Sequence, residues 1–181
     1  MLKKIIKNSS DKPIIISLIG MMGSGKTKFG SFLSKKLSYN FYDIDEVIEK
    51  NFKKTISEIF IKYGESYFRN EEKKAINFIV DEILNNNQNS IISLGGGGFD
   101  NLQTQKLLLS NSLVIWLDCP IKVLIKRIGD GSKRPMLKKD IKQTLTDLLN
   151  KRTSNYKKAH LTLRSSEVAF KEMTKKILQN I

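Results

Sequence analysis

IIISLIGMMGSGKT, residues 14–27, is the most informative stretch of this 181-residue chain. An apolar run leads into Gly20, where the pattern G-x-x-x-x-G-K-[ST] begins, and an amphipathic segment follows Thr27. In this pattern backbone N–H groups converge on phosphate oxygens, and the N-terminus of the following helix adds a partial positive charge. The stretch therefore predicts a strand, a phosphate-binding loop and a helix that together bind a nucleoside triphosphate.

The side chains of this loop, residues 20–27, have distinct expected roles. Lys26 should reach the β- and γ-phosphates, and the Thr27 hydroxyl should ligate Mg²⁺. The predicted ATP contacts in and beside the loop are Gly23, Ser24, Gly25, Lys26, Thr27 and Lys28.

Four more apolar runs, bounded by turn residues, alternate with segments of helical spacing; they lie at residues 40–43, 90–94, 112–118 and 160–163. Unbroken apolar runs are typical of strands that are buried on both faces, and alternation with helices is typical of a parallel sheet. We predict one domain, residues 1–181, with a three-layer α/β/α fold around a central five-stranded parallel sheet.

Two segments interrupt the alternation. Residues 44–74 predict a mostly helical insertion, in which Thr55 and Glu58 form a capping box at the start of a helix. Residues 129–140, GDGSKRPMLKKD, are polar, glycine-rich and basic.

Two features follow the predicted strands at the edge where a parallel sheet binds its ligands. Asp43 and Asp45 end the second strand, so one can hold Mg²⁺ while the other orients or deprotonates an acceptor hydroxyl. Either aspartate could instead cap the next helix. The glycine run at residues 95–98 suits close approach of a ligand to the backbone, although a plain loop is the alternative.

Composition limits the other classes of function. The net charge of +14 could suggest nucleic acid or a membrane surface, but the lysines are scattered along the chain. The single cysteine, Cys119, fits a reducing compartment and a buried structural thiol. The N-terminus lacks the apolar core of a secretory signal, and no run approaches the length of a membrane span. We therefore predict a cytoplasmic protein that binds neither nucleic acid nor membrane.

Arginine is rare in this lysine-rich chain: only five of the 32 basic residues are Arg. A guanidinium binds a carboxylate or phosphate through two parallel hydrogen bonds, which an ammonium cannot do. The arginines, which are therefore candidates for ligand contacts unless they are ordinary surface charges, are Arg69, Arg127, Arg134, Arg152 and Arg164.

From about residue 14 to the C-terminus, the chain resembles the shikimate kinase family, which belongs to the nucleoside-monophosphate-kinase-like P-loop proteins. Six motifs in one register carry the resemblance: GMMGSGKT (20–27), FYDIDEVIEK (41–50), GE-x-x-FR-x-x-E (64–72), SLGGG (93–97), RPML (134–137) and KR-x-x-x-Y (151–156).

The resemblance implies a P-loop kinase fold and a monomeric, Mg²⁺-dependent enzyme. ATP would phosphorylate the 3-hydroxyl of shikimate, on the route to chorismate and aromatic amino acids. Asp45 would bind the acceptor hydroxyls and act as the base, while Asp43 and Thr27 would hold Mg²⁺. Together with Asp45, the implied catalytic residues are Lys26 and Arg134.

The family pattern also implies a substrate-binding insertion at about residues 44–74. Arg69 and Arg152 would clamp the shikimate carboxylate, and Glu72 would brace both arginines. The remaining implied substrate contacts are the apolar wall of Phe60 and Phe68 and the backbone of Gly95, Gly96 and Gly97.

A lid at about residues 129–140 is implied as well. Arg134 would close over the phosphates during transfer, and Arg127 would lie against the adenine. A cationic lid that excludes water suits phosphoryl transfer, which depends on positioning and charge neutralisation.

Two groups of alternatives fit less well. Gluconate or adenylate kinases would not need the paired Arg69 and Arg152, and the D-G-[FY]-P-R pattern of adenylate kinases is absent. A GTPase switch would carry N-K-x-D, and a nucleic-acid-binding module would carry a basic–aromatic motif; the chain has neither. His160, the only histidine, is interpreted as structural.

Overall fold

A computed structural model describes residues 12–129, 140–165 and 169–181. Five parallel strands form one sheet in the order β2-β3-β1-β4-β5, which confirms the predicted sheet. The strands are β1 (Ile15–Ile19), β2 (Asn40–Asp43), β3 (Ser90–Ser93), β4 (Leu113–Asp118) and β5 (Leu161–Arg164).

Seven α-helices and one short 3₁₀-helix connect these strands within the described ranges. The helices are α1 (Lys26–Leu37), α2 (Ile44–Phe52), α3 (Ile56–Asn85), α4 (Leu102–Asn111), α5 (Ile121–Ile128), α6 (Ile141–Tyr156) and α7 (Phe170–Leu178), and the 3₁₀-helix is Gly98–Asp100. None of these helices is both long enough and apolar enough to cross a membrane.

Alternation along β1 divides the core between the two faces of the sheet. Ile15 and Ile19 pack into one buried cluster, which α2 to α6 complete, whereas Ile16 and Leu18 pack into a second cluster with α1 and α7. Successive side chains of a strand point to opposite faces, so β1 serves both clusters at once. The predicted three-layer α/β/α arrangement is confirmed.

The strand order brings three loops to one edge of the sheet. β1 lies between β3 and β4, and the pairing register places Leu18 and Asp43 on either side of Ser93. The ends of β1, β2 and β3 therefore lie side by side, and the loops that follow them face a common crevice.

The predicted helical insertion, residues 44–74, contains α2 and the first part of α3. Thr55 caps α3 through the predicted capping box: its hydroxyl accepts from the Glu58 N–H at 3.2 Å, and its own N–H donates to Glu58 Oε2 at 2.7 Å. Gly64, at φ 82° and ψ 169°, interrupts α3 with a backbone conformation that is almost exclusive to glycine. Beyond this break the helix continues past Lys74 to Asn85, because its buried side chains join the core.

His160 and Cys119 have structural surroundings, as predicted. His160 Nδ1 accepts a hydrogen bond from the Val114 N–H at 3.0 Å, and the His160 N–H donates to the Val114 carbonyl at 2.9 Å. These two bonds join His160 to β4 just before the β5 strand begins. β5 starts at Leu161, one residue later than predicted. Partial burial lowers the pKa of His160, in keeping with the neutral ring that this acceptor requires. The Cys119 thiol is free and buried.

Candidate active site

The phosphate-binding loop leads directly into α1. Gly23 and Gly25 adopt φ values of 79° and 95°, which favour glycine, and Gly25 is the residue that caps α1. The buried Lys26 ammonium donates to the carbonyls of Gly20 and Met21 at 2.8 and 3.0 Å. The loop therefore surrounds the Lys26 ammonium, at the place where the phosphates of a nucleotide would lie.

Thr27 and Asp43 meet at the start of α1 and the end of β2. The Thr27 hydroxyl donates to Asp43 Oδ2 at 2.7 Å, and Asp43 Oδ1 accepts from the Asp45 N–H at 3.1 Å. Asp43 is thus the N-cap of α2, which was the alternative interpretation, and its second carboxylate oxygen accepts from Thr27; the metal-binding role stays a prediction.

These oxygen atoms fit Mg²⁺, which binds proteins through one or two oxygen ligands and completes its shell with water and substrate phosphates. Among the described residues, no group of three or more His, Cys, Asp or Glu side chains is arranged to hold a metal ion. Thr27 and Asp43 therefore suit an ion that arrives with a nucleotide better than one held by the protein alone.

A cavity of about 460 Å³, which we call the nucleotide cavity, opens over the loop. It brings together all seven predicted ATP contacts that lie in the described residues: Gly23, Ser24, Gly25, Lys26, Thr27, Lys28 and Arg127. Ser165 and Phe170 also line it, and the sequence analysis missed both of them. Arg127 connects the loop with Ser165, since it donates to the Gly23 carbonyl at 3.2 Å and to the Ser165 carbonyl at 3.4 Å.

A smaller adjoining cavity, which we call the acceptor cavity, contains every predicted substrate contact: Asp45, Phe60, Phe68, Arg69, Gly95, Gly96, Gly97 and Arg152. Asp45, Gly95 and Gly96 line both cavities. Asp45 therefore lies at the junction, within reach of both a nucleotide in one cavity and an acceptor in the other.

Arg69 lies in a cage of acidic and aromatic side chains. Its Nη1 donates to Glu72 Oε2 at 2.7 Å, and its Nε and Nη2 lie 3.3 Å from Glu65 Oε1. The guanidinium also stands over the rings of Phe68 and Phe60, at 5.2 and 5.9 Å from their centroids. Burial alone would lower the pKa of Arg69, but Glu72 and Glu65 outweigh burial and raise it, so the guanidinium stays charged.

The predicted brace by Glu72 is confirmed for Arg69 and wrong for Arg152. Glu72 is 2% exposed, and its Oε1 has no hydrogen-bond partner among the described residues. Burial raises the pKa of Glu72, and Arg69 and Arg152 both oppose that shift. Arg152 therefore acts on Glu72 through space only, and its Nε instead donates to Asp100 Oδ2 at 2.9 Å.

The glycine run is required by the side chains that pack on it. A Cβ on Gly95 would lie 2.5 Å from Glu72 Oε1 and 2.8 Å from Asp45 Oδ1, and a Cβ on Gly97 would lie 2.6 Å from the Arg69 guanidinium. The glycine pattern had predicted a ligand against this backbone. The structure adds that the ionic side chains of the site already occupy the space where β-carbons would be.

Asp100 and Tyr156 support the site, and the sequence analysis assigned neither of them a role. The Tyr156 hydroxyl donates to the Gly96 carbonyl, and its ring packs 5.7 Å from that of Trp116. Burial raises the pKa of Tyr156, so the phenol is neutral and can donate. Tyr156 ends the KR-x-x-x-Y motif, which could have drawn attention to it, whereas Asp100 belongs to no motif.

Most of the predicted lid lies outside the part of the chain that the structure describes. Residues 130–139 lie outside the described ranges, and Arg134 is among them. The expected closure of Arg134 over the phosphates therefore stays a prediction.

Comparison with known proteins gives a consistent family match. A family model described as shikimate kinase matches residues 22–181. Shikimate kinase of Persephonella marina is 36% identical over 166 residues, which cover 92% of this chain and 98% of that protein.

Solved structures agree with the family match. Shikimate kinase from Acinetobacter baumannii in complex with shikimate superposes with a TM-score of 0.85 at 31% identity, and the alignment covers 93% of each chain. Shikimate kinase from Aquifex aeolicus gives a TM-score of 0.78 at 34% identity, covering 92% of this chain and 95% of that one.

Proposed function

This chain belongs to the shikimate kinase family, and we propose that it transfers the γ-phosphoryl group of ATP to the 3-hydroxyl of shikimate. The products are shikimate 3-phosphate and ADP, and the reaction belongs to the chorismate route to aromatic amino acids. The observation that carries the proposal is the junction at Asp45, which joins a phosphate-binding cavity to a cavity with two arginines.

The acceptor cavity has the chemistry of shikimate, a small ring with one carboxylate and several hydroxyls. Arg69 and Arg152 supply two guanidinium groups for the carboxylate. Phe60 and Phe68, whose ring centroids are 4.6 Å apart, offer an apolar surface to the carbon ring. In the proposed binding mode, Asp45 faces the hydroxyl groups rather than the carboxylate. It accepts the proton of the 3-hydroxyl as that oxygen attacks phosphorus.

The nucleotide side of the proposal uses the loop cation and the helix N-terminus. Lys26 contacts the β- and γ-phosphates, and backbone N–H groups of the loop orient them. Thr27 and Asp43 would hold Mg²⁺, which neutralises charge on the phosphates when it is bound. Arg127 lines the nucleotide cavity and would lie against the adenine. Arg134 would approach the phosphates when the lid closes.

Other expectations stay part of the proposal. We propose a monomer with one domain, residues 1–181, in which an insertion at about 44–74 and a lid at about 129–140 move about the core. The free, buried Cys119 supports a reducing, cytoplasmic location. We expect no binding to nucleic acid or membrane; retention on heparin that persists at high salt would contradict this part.

A coupled ADP-release assay with Mg-ATP tests the proposed function. The acceptor panel is shikimate, quinate, gluconate and AMP, and we expect turnover on shikimate. Turnover on gluconate or AMP with none on shikimate would overturn the assignment.

Arg69→Lys should raise the KM for shikimate about 10- to 100-fold, the worth of hydrogen bonds to a charged group, and leave the KM for ATP nearly unchanged. The ammonium keeps the charge but loses the two-pronged geometry. Steady-state kinetics in both substrates give the two constants. Arg164→Lys is the matched control, because Arg164 is exposed on β5 and lines neither cavity. Equal changes in both KM values would count against the carboxylate clamp.

Gly97→Ala should raise the KM for shikimate about tenfold while the protein still folds. The new methyl group would meet the end of the flexible Arg69 side chain at 2.6 Å, so the guanidinium moves rather than the backbone. In an Arg69→Lys background the same change should have a much smaller effect. Thermal melting serves as the folding control, and an unchanged KM in the Arg69 protein would contradict the prediction.

A further inference from the structure

The Arg152 guanidinium has one nitrogen that is hydrogen-bonded within the protein and another that lacks a partner among the described residues. Arg152 is 3% exposed, and its Nε donates to Asp100 Oδ2 at 2.9 Å. Its Nη1 is buried and has no hydrogen-bond partner among the described residues. That nitrogen lies beside Gly96 in the acceptor cavity, since a Cβ on Gly96 would be 3.4 Å from it. A buried guanidinium N–H without a partner marks a place where a ligand acceptor belongs.

Asp100 uses both carboxylate oxygens to fasten α6 to the glycine run. Oδ2 accepts from Arg152, and Oδ1 accepts from Asn155 Nδ2 at 3.3 Å. The Asp100 N–H donates to the Gly97 carbonyl at 3.0 Å, which ties the carboxylate to the backbone that lines the acceptor cavity. Asp100 therefore connects the two elements between which the carboxylate of an acceptor would lie.

The pair differs from an ordinary surface ion pair. The Arg152 side chain is 4% exposed and that of Asp100 is 30% exposed, so the contact is largely shielded from water. A free arginine side chain has considerable rotational entropy, and a bond at Nε removes much of it before a ligand binds. The bond also leaves Nη1, which has no partner among the described residues, available for a carboxylate oxygen of the ligand.

We propose that Asp100 is a positioning residue that presets Arg152 for the shikimate carboxylate. Asp100 does not touch the substrate in this arrangement; it acts through the guanidinium that does. The inference rests on the proposed function, because it assigns a role within the same acceptor cavity.

The first experiment measures both KM values and kcat for Asp100→Ala and Asp100→Asn. We expect the Ala variant to raise the KM for shikimate about tenfold, the scale of one hydrogen bond to a charged group, with kcat and the KM for ATP within about twofold of wild type. Asn keeps an acceptor oxygen for Arg152 Nε and should restore part of the loss. Asp147→Ala removes an exposed carboxylate that lies on α6 with Arg152 and lines neither cavity, and it should leave all three constants unchanged.

A double-mutant cycle separates positioning from general support of the fold. In an Arg152→Met background, Asp100→Ala should add less than about a twofold change in kcat/KM for shikimate, since nothing is left for Asp100 to position. Full additivity of the two changes would overturn the inference, as would an unchanged KM for shikimate in Asp100→Ala. A wild-type protein without shikimate-dependent ADP release would instead overturn the proposed function, and this inference with it.

Discussion

Asp45→Asn is expected to lower kcat on shikimate by about a thousandfold, within the range that a positioned general base contributes. The amide keeps the size of the carboxylate and can still contact hydroxyl groups, but it cannot accept a proton at neutral pH. Asp45 lies at the junction of the two cavities, so its loss removes the base without removing either binding site. Single-turnover kinetics with saturating ATP and shikimate measure the effect on the chemical step.

The control for this prediction is ATP affinity, which a fluorescent nucleotide analogue can report. Binding should be retained, because Asp43 and Thr27 still form their hydrogen bond. Asp81→Asn is the matched variant, since Asp81 is exposed on α3 and lines neither cavity. A kcat for Asp45→Asn within about tenfold of wild type would remove Asp45 as the base.

Lys26→Met should lower kcat by about 10²- to 10³-fold, the loss typical of removing one group that stabilises charge in a transition state. The Lys26 ammonium lies inside the loop against two carbonyl oxygens. From there it is expected to contact the phosphates of the nucleotide. Methionine is unbranched and only one atom shorter than lysine, so it keeps most of the side chain while removing the charge and its donors. Initial rates over a range of ATP concentrations give both kcat and KM.

Lys26→Met also removes two bonds that hold the loop, so folding must be measured separately. Lys36→Met is the control, because Lys36 is exposed in the last turn of the same helix. The melting temperature of Lys36→Met should equal that of wild type, and Lys26→Met should still unfold cooperatively, at a lower temperature because two carbonyls lose their donor. A Lys26→Met protein with wild-type kcat would show that the ammonium does not act in phosphoryl transfer.

The sheet and the phosphate-binding loop could be predicted because their determinants are local. Apolar runs fixed the five strands to within a residue or two, and the residues around Gly20 formed a contiguous pattern. Helical spacing also predicted a helix over residues 75–83, and the structure shows that this helix is continuous with the end of the insertion and runs to Asn85.

In the site, too, contacts between residues close in sequence were easier to predict than contacts between distant ones. Glu72 lies one helical turn from Arg69 in the GE-x-x-FR-x-x-E motif, so the family resemblance implied their contact and the spacing is compatible with it. Asp100 and Arg152 are 52 residues apart, and nothing in either local sequence points to the other. A single sequence shows which side chains can form a pair, but the fold decides which of them meet.

The break at Gly64 gives the two walls of the acceptor cavity different mechanical properties. Phe60 lies on the short helical arm before the break, whereas Arg69 and Glu72 lie on the long segment that is buried in the core. A Cβ at Gly64 would meet no atom within 4 Å, so its positive φ, and not crowding, is what favours glycine there. Rotation at this single residue would move Phe60 relative to Phe68, because Phe68 lies beyond the break on the same buried segment as Arg69. Arg69, Glu72 and Phe68 therefore share one rigid support, and the spacing of the two aromatic rings depends on the backbone angles of Gly64.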